Sequence, residues 1–279
     1  MKSCAYCRKT GVRLTKEHLW PASLHRRIDE ANRAYFGEAN VFYLDKINKT
    51  IPAEPQVRDV CIECNSGVLS QLDSYICQLW DEYFSNIVEQ GAEVFFQYNY
   101  DLLSRWLIKM CFNSARIHNS DVKHLEKCRE YVLGISPHPD NVAIHLQLAK
   151  PSNYTPSELQ VAKELGLSLT RHEPRLNRVG HFGYKTRTGY GRLVRAVHLQ
   201  SYLFLIHIFP ESVAPSERLS NLDDFKTAMS CAKILHSDKN SCLLECEGLD
   251  AKVSLYSHFK RILNNQDTAS SALDSSESA

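Results

Sequence analysis

Two Cys-x-x-Cys pairs, Cys4 with Cys7 and Cys61 with Cys64, bracket the first quarter of this chain and limit how it can fold. Each two-residue spacing lets one tight turn aim two sulfurs at a common point. Four thiolates converging from two such turns suit a closed tetrahedral zinc site. The competing reading is two unrelated thiol pairs. The chain holds ten cysteines, and its start lacks an apolar stretch long enough for an export signal. No run approaches the roughly 20 apolar residues that a membrane span needs. The expectation is therefore a cytoplasmic protein in a reducing compartment, where paired cysteines are metal ligands before they are disulfides. Cys77, Cys111, Cys128, Cys231, Cys242 and Cys246 read as mostly buried small hydrophobes, with Cys242 and Cys246 as neighbours on a helix.

Between the pairs lies Glu17-His18-Leu19-Trp20-Pro21. A histidine with an unperturbed pKa of about 6.5 can serve as a base near neutral pH. A carboxylate beside it is a hard ligand that suits a divalent cation such as magnesium and leaves water positions free. Thiolates select a different ion, zinc. The pattern thus points to two metals with separate jobs. The competing reading of Glu17-His18 is an ordinary surface pair at a strand end.

The ordered set C-A-Y-C, E-H-L-W-P, Q-V-R-D-V and C-I-E-C-N resembles the HNH nuclease family, also called the ββα-metal fold. Thr15, Lys16, Glu17 and His18, with Cys64, Asn65, Ser66, Leu72 and Asp73 downstream, are similar to one subtype of it. The resemblance covers about the first quarter of the chain. It implies that His18 is the general base and that Glu17 holds a catalytic divalent ion, magnesium or similar. It implies that Asn65 is a second contact to that ion and that Cys4, Cys7, Cys61 and Cys64 hold a structural zinc. The family places an Asn five residues before the third cysteine; here that position is Gln56, whose amide sits on a longer stem. Gln56 is the candidate for orienting His18, with Asn40 and Asn48 as fallbacks.

The expected fold class is α+β: an N-terminal ββα-metal module with structural zinc, a helical segment, and a C-terminal α+β domain. The boundaries fall at 1–75, 76–135 and 136–264, with 265–279 a disordered tail. Helices are expected over 22–39, from Cys64 onward, over 99–118, 120–133, 156–166 and 221–234. Strands are expected at 13–19, 41–44, 141–148 and 194–209, the last long enough for two strands or one bent one. On the 99–118 helix, Leu102, Leu103, Trp106, Leu107, Met110 and Cys111 form a core-packing stripe, and Arg105, Lys109 and Arg116 are expected elsewhere around it.

Net charge is +1, so overall charge does not announce a nucleic-acid partner. The local distribution is more informative. Arg171, Arg175, Arg178, Lys185, Arg187, Arg192 and Arg195 crowd one stretch in which Glu173 is the one acid. Tyr184 lies among them, with Phe182 and Tyr190. Basic groups neutralise phosphates and aromatic faces stack on bases. Arg187, Arg192, Lys185 and Tyr184 are the candidate nucleic-acid contacts; a solvated hairpin turning at Gly189 and Gly191 is the plainer reading. His25-Arg26-Arg27 forms a weaker basic patch. His198 and His207 read as core histidines.

The sequence reading is thus an HNH endonuclease hydrolysing phosphodiester bonds, on DNA ahead of RNA, in a setting such as bacterial restriction or phage defence. One alternative is a zinc-bound nucleic-acid binder whose catalytic site has decayed. Another is a sensor or interaction protein that uses the nuclease as its effector. A partner subunit or homodimer is left open, and no membrane partner is expected.

Overall fold

The computed structural model describes residues 2–36, 42–44, 49–51, 55–118, 122–164, 171–175, 177–185 and 191–251. The expected tail at 265–279, the fallback residues Asn40 and Asn48, and Arg187 lie outside them.

The chain opens with a knuckle. Arg8 N donates to the Cys4 carbonyl at 3.1 Å and Cys4 N to the Lys9 carbonyl at 3.0 Å. The turn closes with Arg8 at φ 63°. Strand β1 (Leu14–His18) follows, then α1 (Ala22–Phe36) and a short hairpin of β2 (Phe42–Leu44) and β3 (Lys49–Ile51). Strand β4 (Gln56–Cys61) returns antiparallel to β1, pairing Leu14 with Cys61 and His18 with Gln56. The register slips between Thr15 and Lys16, where β4 carries one extra residue, Asp59, as a bulge.

A helical run starts directly after β4. It comprises α2 (Ile62–Cys64), a wider turn over Asn65–Leu69, α3 (Ser70–Leu79) and a last wide turn over Trp80–Phe84. Gly67 departs from helical geometry, with φ −96° and ψ −112°, and kinks the run beside Asn65. The expected helix from Cys64 buries Leu72, Ile76 and Leu79 along one face. Strand β5 (Glu93–Gln97) leads into α4 (Tyr100–His118), whose first turn is capped by Asn99 Oδ1 accepting from Leu102 N at 3.1 Å. Two short helices follow, α5 (Val122–Glu126) and α6 (Arg129–Val132).

The C-terminal half is built on a six-stranded sheet. Strand β6 (Val142–Lys150) precedes a small pair, β7 (Ser152–Asn153) and β8 (Arg171–His172), with α7 (Pro156–Glu164) between them. Then come β9 (Asn177–Lys185), β10 (Gly191–Leu199) and β11 (Tyr202–Ile208). Helix α8 (Pro215–Ala228), β12 (Lys233–Ile234), β13 (Ser241–Glu245) and β14 (Leu249–Asp250) complete the described chain. The sheet runs β12-β6-β11-β10-β9, with β14 parallel to β6, while β13 pairs with β5. The apolar run 194–209 is two strands because Gln200, at φ 51°, turns the chain between Leu199 and Tyr202.

Helices and sheets are mixed along the chain, an α+β arrangement. One sheet face meets α4 through Val197, Leu199, Tyr202, Phe204 and Ile206. The other carries Val194, Ala196, Leu203 and Leu205 against Phe225 of α8. A continuous apolar core runs from Cys4 through Trp106 to Cys246. The boundaries expected after residues 75 and 135 both fall across that shared core.

Three local expectations are corrected. The helix placed at 221–234 spans Pro215–Ala228, because Pro215 occupies its first turn, where a missing N–H costs nothing. Cys242 lies in β13 and Cys246 just beyond it, so they are not helix neighbours. Lys109 and Arg116 are not turned away from the core: their side chains are 0% and 8% exposed. Each is buried because a carboxylate meets it.

Candidate metal centre and adjoining cleft

The knuckle at Cys4–Cys7 and the β4–α2 junction bring four sulfurs together. The Sγ atoms of Cys4, Cys7, Cys61 and Cys64 all lie within 4.8 Å of one another. Cys7 Sγ and Cys61 Sγ are 3.6 Å apart. A zinc ion with bonds of about 2.3 Å has sulfur–sulfur edges of about 3.8 Å, so the cluster needs little adjustment to close on one ion. Ala5 N donates to the Asp59 carbonyl at 2.8 Å and holds the knuckle against β4.

The thiols of the cluster are shifted in opposite directions. Burial raises the Cys4 thiol, but N–H groups of Cys61, Cys7 and Tyr6 outweigh it and bring the group down to about 7. The Cys61 N–H···Sγ bond to Cys4 is 3.3 Å long. Burial pushes Cys61 up to about 11. Cys64 is pushed higher still, by burial and then by its bonds to Cys61 and Cys7. Four neighbouring thiolates repel one another, and a bound divalent ion removes that penalty.

A cleft of about 320 Å³ lies beside this cluster, lined by Lys16, Glu17, His18, Pro21, Asn65 and Asp73 among others. Strand β1 supplies Glu17 and His18 from its C-terminal end, past the bulge in β4. The kinked turn after α2 supplies Asn65. Asn65 Nδ2 donates to Thr15 Oγ1 at 2.9 Å and to the Lys16 carbonyl at 3.1 Å. Those two bonds fix the amide and leave Oδ1 without a donor among the described residues. Gln56, opposite His18 in the ladder, places Nε2 3.4 Å from His18 Nδ1.

Glu17 is 4% exposed and is held from below by α4. Its Oε1 accepts from Asn113 Nδ2 at 3.1 Å and lies 3.0 Å from Lys109 Nζ. No described residue bonds Oε2. Asn113 Nδ2 also donates to the His18 carbonyl at 3.1 Å, so one amide ties down both residues of the pair. Asn113 Oδ1 accepts from Tyr6 OH at 2.7 Å and from Arg116 Nη2 at 2.5 Å. Arg116 in turn pairs with Asp59. Tyr6 lies inside the cysteine knuckle, so the thiol cluster and Glu17 share one buried network.

Asp73 of α3 completes the network. Lys109 Nζ donates to its Oδ1 at 2.6 Å and its Oδ2 at 2.7 Å, and Trp106 Nε1 to Oδ1 at 3.2 Å. Burial raises the Asp73 carboxyl, and Lys109 works against that rise. Lys109 itself is held above its usual range by Asp73 and Glu17, against the burial that would lower it.

Lys109, Asn113 and Arg116 hold the site from α4; the sequence reading does not name Asn113, and places Lys109 and Arg116 only as lying off the apolar stripe. The signal was present: they recur at helical spacing on α4 as a polar line beside its apolar stripe.

The basic stretch lies elsewhere, on the C-terminal sheet and the strands flanking it. Tyr184 pairs with Arg192 and Lys185 with Gly191 in the β9–β10 ladder. Arg171 meets Glu89 at 2.8 Å and Glu173 at 2.9 Å, and Arg175 meets Glu173 at 2.7 Å. Arg195 is 3% exposed. In the weaker patch, Arg27 forms a two-pronged pair with Asp81 at 2.7 and 2.8 Å. These positions are not among those lining the cleft.

Among the described residues no helix is long and apolar enough to cross a membrane. Comparison of the chain with protein-family models, curated proteins and solved structures returned no match.

Proposed function

We propose that the chain is a metal-dependent endonuclease of the HNH type that hydrolyses phosphodiester bonds in nucleic acid. The observation that carries this reading is one cleft, lined by Glu17, His18 and Asn65, beside four clustered thiols. Zinc would be held by Cys4, Cys7, Cys61 and Cys64 in a structural role, since four thiolates leave no open position. A magnesium-like ion would be held by Glu17 Oε2 and Asn65 Oδ1, hard oxygens without donors among the described residues. When bound, that ion supplies charge neutralisation at the phosphate and the leaving oxygen.

The chain's own residues do the rest. His18 takes the proton from the attacking water. For that its Nε2 must carry a lone pair, so Nδ1 must carry the hydrogen. Gln56 supports this tautomer when its amide presents Oε1 to Nδ1, and the two ends of an amide are sterically interchangeable. Asn113 holds the His18 backbone and Glu17 together, which would keep the base and the ion-binding carboxylate in a fixed relation.

DNA is the first substrate to test, followed by RNA. The deciding experiment compares cleavage by wild type and His18→Ala under matched zinc loading, with and without Mg²⁺. Equal cleavage by the two proteins would remove this site from the chemistry.

A further inference from the structure

Lys109 is a cation already seated between two carboxylates beside the cleft. Its Nζ lies 3.0 Å from Glu17 Oε1 and 2.6 and 2.7 Å from the two Asp73 oxygens. The three side chains come from three elements: β1, α3 and α4. Without Lys109, two buried carboxylates would face each other and repel. They would also offer a divalent ion several oxygens at one point, an arrangement such ions bind readily.

We infer that Lys109 is a positioning residue for the divalent ion: its ammonium fills the point between Glu17 and Asp73. The ion would thereby be left the other oxygen of Glu17, a residue that lines the cleft together with Asn65 and His18. This rests on the proposed metal site at Glu17 and deepens it. Lys109 engages Oε1, the same oxygen that Asn113 holds, so both α4 residues leave the same carboxylate oxygen, Oε2, unengaged among the described residues. A lysine that only stabilised the core would behave differently. Its loss would loosen Glu17 and weaken any ion bound there. A lysine that occupies a cation's place competes with the ion, and its loss strengthens binding while moving the ion.

The test uses the full, zinc-loaded chain with Mn²⁺ as the probe. Binding is read by calorimetric titration, and cleavage is measured at saturating Mn²⁺. Lys109→Met removes the charge; Lys109→Gln removes it but keeps a hydrogen-bond donor between the carboxylates. In both, Mn²⁺ affinity should rise by about tenfold or more, because a unit charge within a few ångströms of a divalent ion matters that much even at an effective dielectric of about 20. Cleavage at saturation should fall by about tenfold or more, because a displacement of about 1 Å misaligns the reacting groups. Pairing Lys109→Met with Asp73→Asn removes the second carboxylate and should return affinity to within about threefold of wild type, since net charge is restored. Unchanged or weaker Mn²⁺ binding in a folded Lys109 variant overturns the inference. So does failure of both single variants to fold, judged by zinc content and circular dichroism, since that would assign Lys109 to the core alone. A wild type that binds no Mn²⁺ overturns both this inference and the proposed metal site. If wild type binds Mn²⁺ but cleaves nothing, the nuclease reading fails while the titration still decides Lys109. If wild type cleaves and the Lys109 variants match it in both measurements, only the Lys109 inference fails.

Discussion

Gln56 and His18 face each other across the β1–β4 ladder, with Gln56 Nε2 3.4 Å from His18 Nδ1. The pairing is direct because the bulge at Thr15/Lys16 shifts the register ahead of it. A glutamine stem spans the gap that this cross-strand geometry leaves.

Under the proposed chemistry, His18→Ala should lower cleavage by about 10² or more, the usual scale for a lost general base. Zinc content should hardly change. Gln56→Glu should place an acceptor-only group on Nδ1–H and raise the His18 pKa relative to wild type. The acid limb of the pH–rate profile should then move to higher pH. A limb that stays in place would mean Gln56 does not touch the base in solution. Gln56→Asn restores the family's residue, and activity equal to or better than wild type would support the alignment.

The cysteine cluster carries its own prediction. One zinc should bind per chain, and Cys61→Ser should release it. Structural zinc contributes on the order of 10 kcal/mol of apparent binding energy in small domains, so its loss should unfold the knuckle and the β1–β4 pair that the four cysteines tie together. Hydrogen exchange would show this as lost protection in β1, β4 and the knuckle. Purified wild-type protein containing no zinc by elemental analysis would end the idea.

The thiol cluster was legible in the sequence because a Cys-x-x-Cys turn is a local device, and two such devices can only meet in a few ways. The long helices were legible for a similar reason: the apolar stripe on α4, with Leu103, Trp106, Leu107 and Met110, is written at a fixed period. Lys109 was not read correctly, because its place depends on partners 36 and 92 residues earlier in the chain, Asp73 and Glu17. A lysine amid apolar neighbours reads as a solvated residue unless its carboxylates are known. Gln200 is the same kind of case on a smaller scale. Its positive φ splits an apolar run into β10 and β11, and glutamine is not a residue that announces a turn.

Part of the basic stretch is already engaged within the fold. Arg171 and Arg175 are committed to Glu89 and Glu173, and Arg195 is buried. If the β9–β10 hairpin contacts nucleic acid, Arg187→Ala with Arg192→Ala should reduce the slope of log affinity against log salt by roughly two, since each released counterion contributes about one. Arg171→Ala should leave that slope unchanged. The same slope in the Arg187/Arg192 variant and wild type would make the hairpin an ordinary solvated one.

The C-terminal sheet carries a pH dependence that needs no catalytic assumption. His145, His198 and His207 are each at most 3% exposed. Burial lowers all three, with His236 and Lys226 adding to it at His145, Arg178 at His198, and His145 at His207. His145 is brought down to about 4, and the other two to about 3. Below pH 6.5 the unfolded chain takes up protons that the folded chain refuses, so stability rises with pH through that window. Above pH 6.5 both states hold these rings neutral and the penalty vanishes. Between pH 7.5 and 5.5 each histidine should cost about 1 kcal/mol, from 1.36 kcal/mol per pKa unit. Urea unfolding at the two pH values measures the loss. The cysteine cluster is also acid-sensitive, but it contributes equally to a variant that leaves it intact. His207→Leu should therefore shrink the wild-type loss by about 1 kcal/mol, as a ring that cannot protonate removes its share. A variant whose loss matches that of wild type would show that His207 accepts its proton in the folded protein.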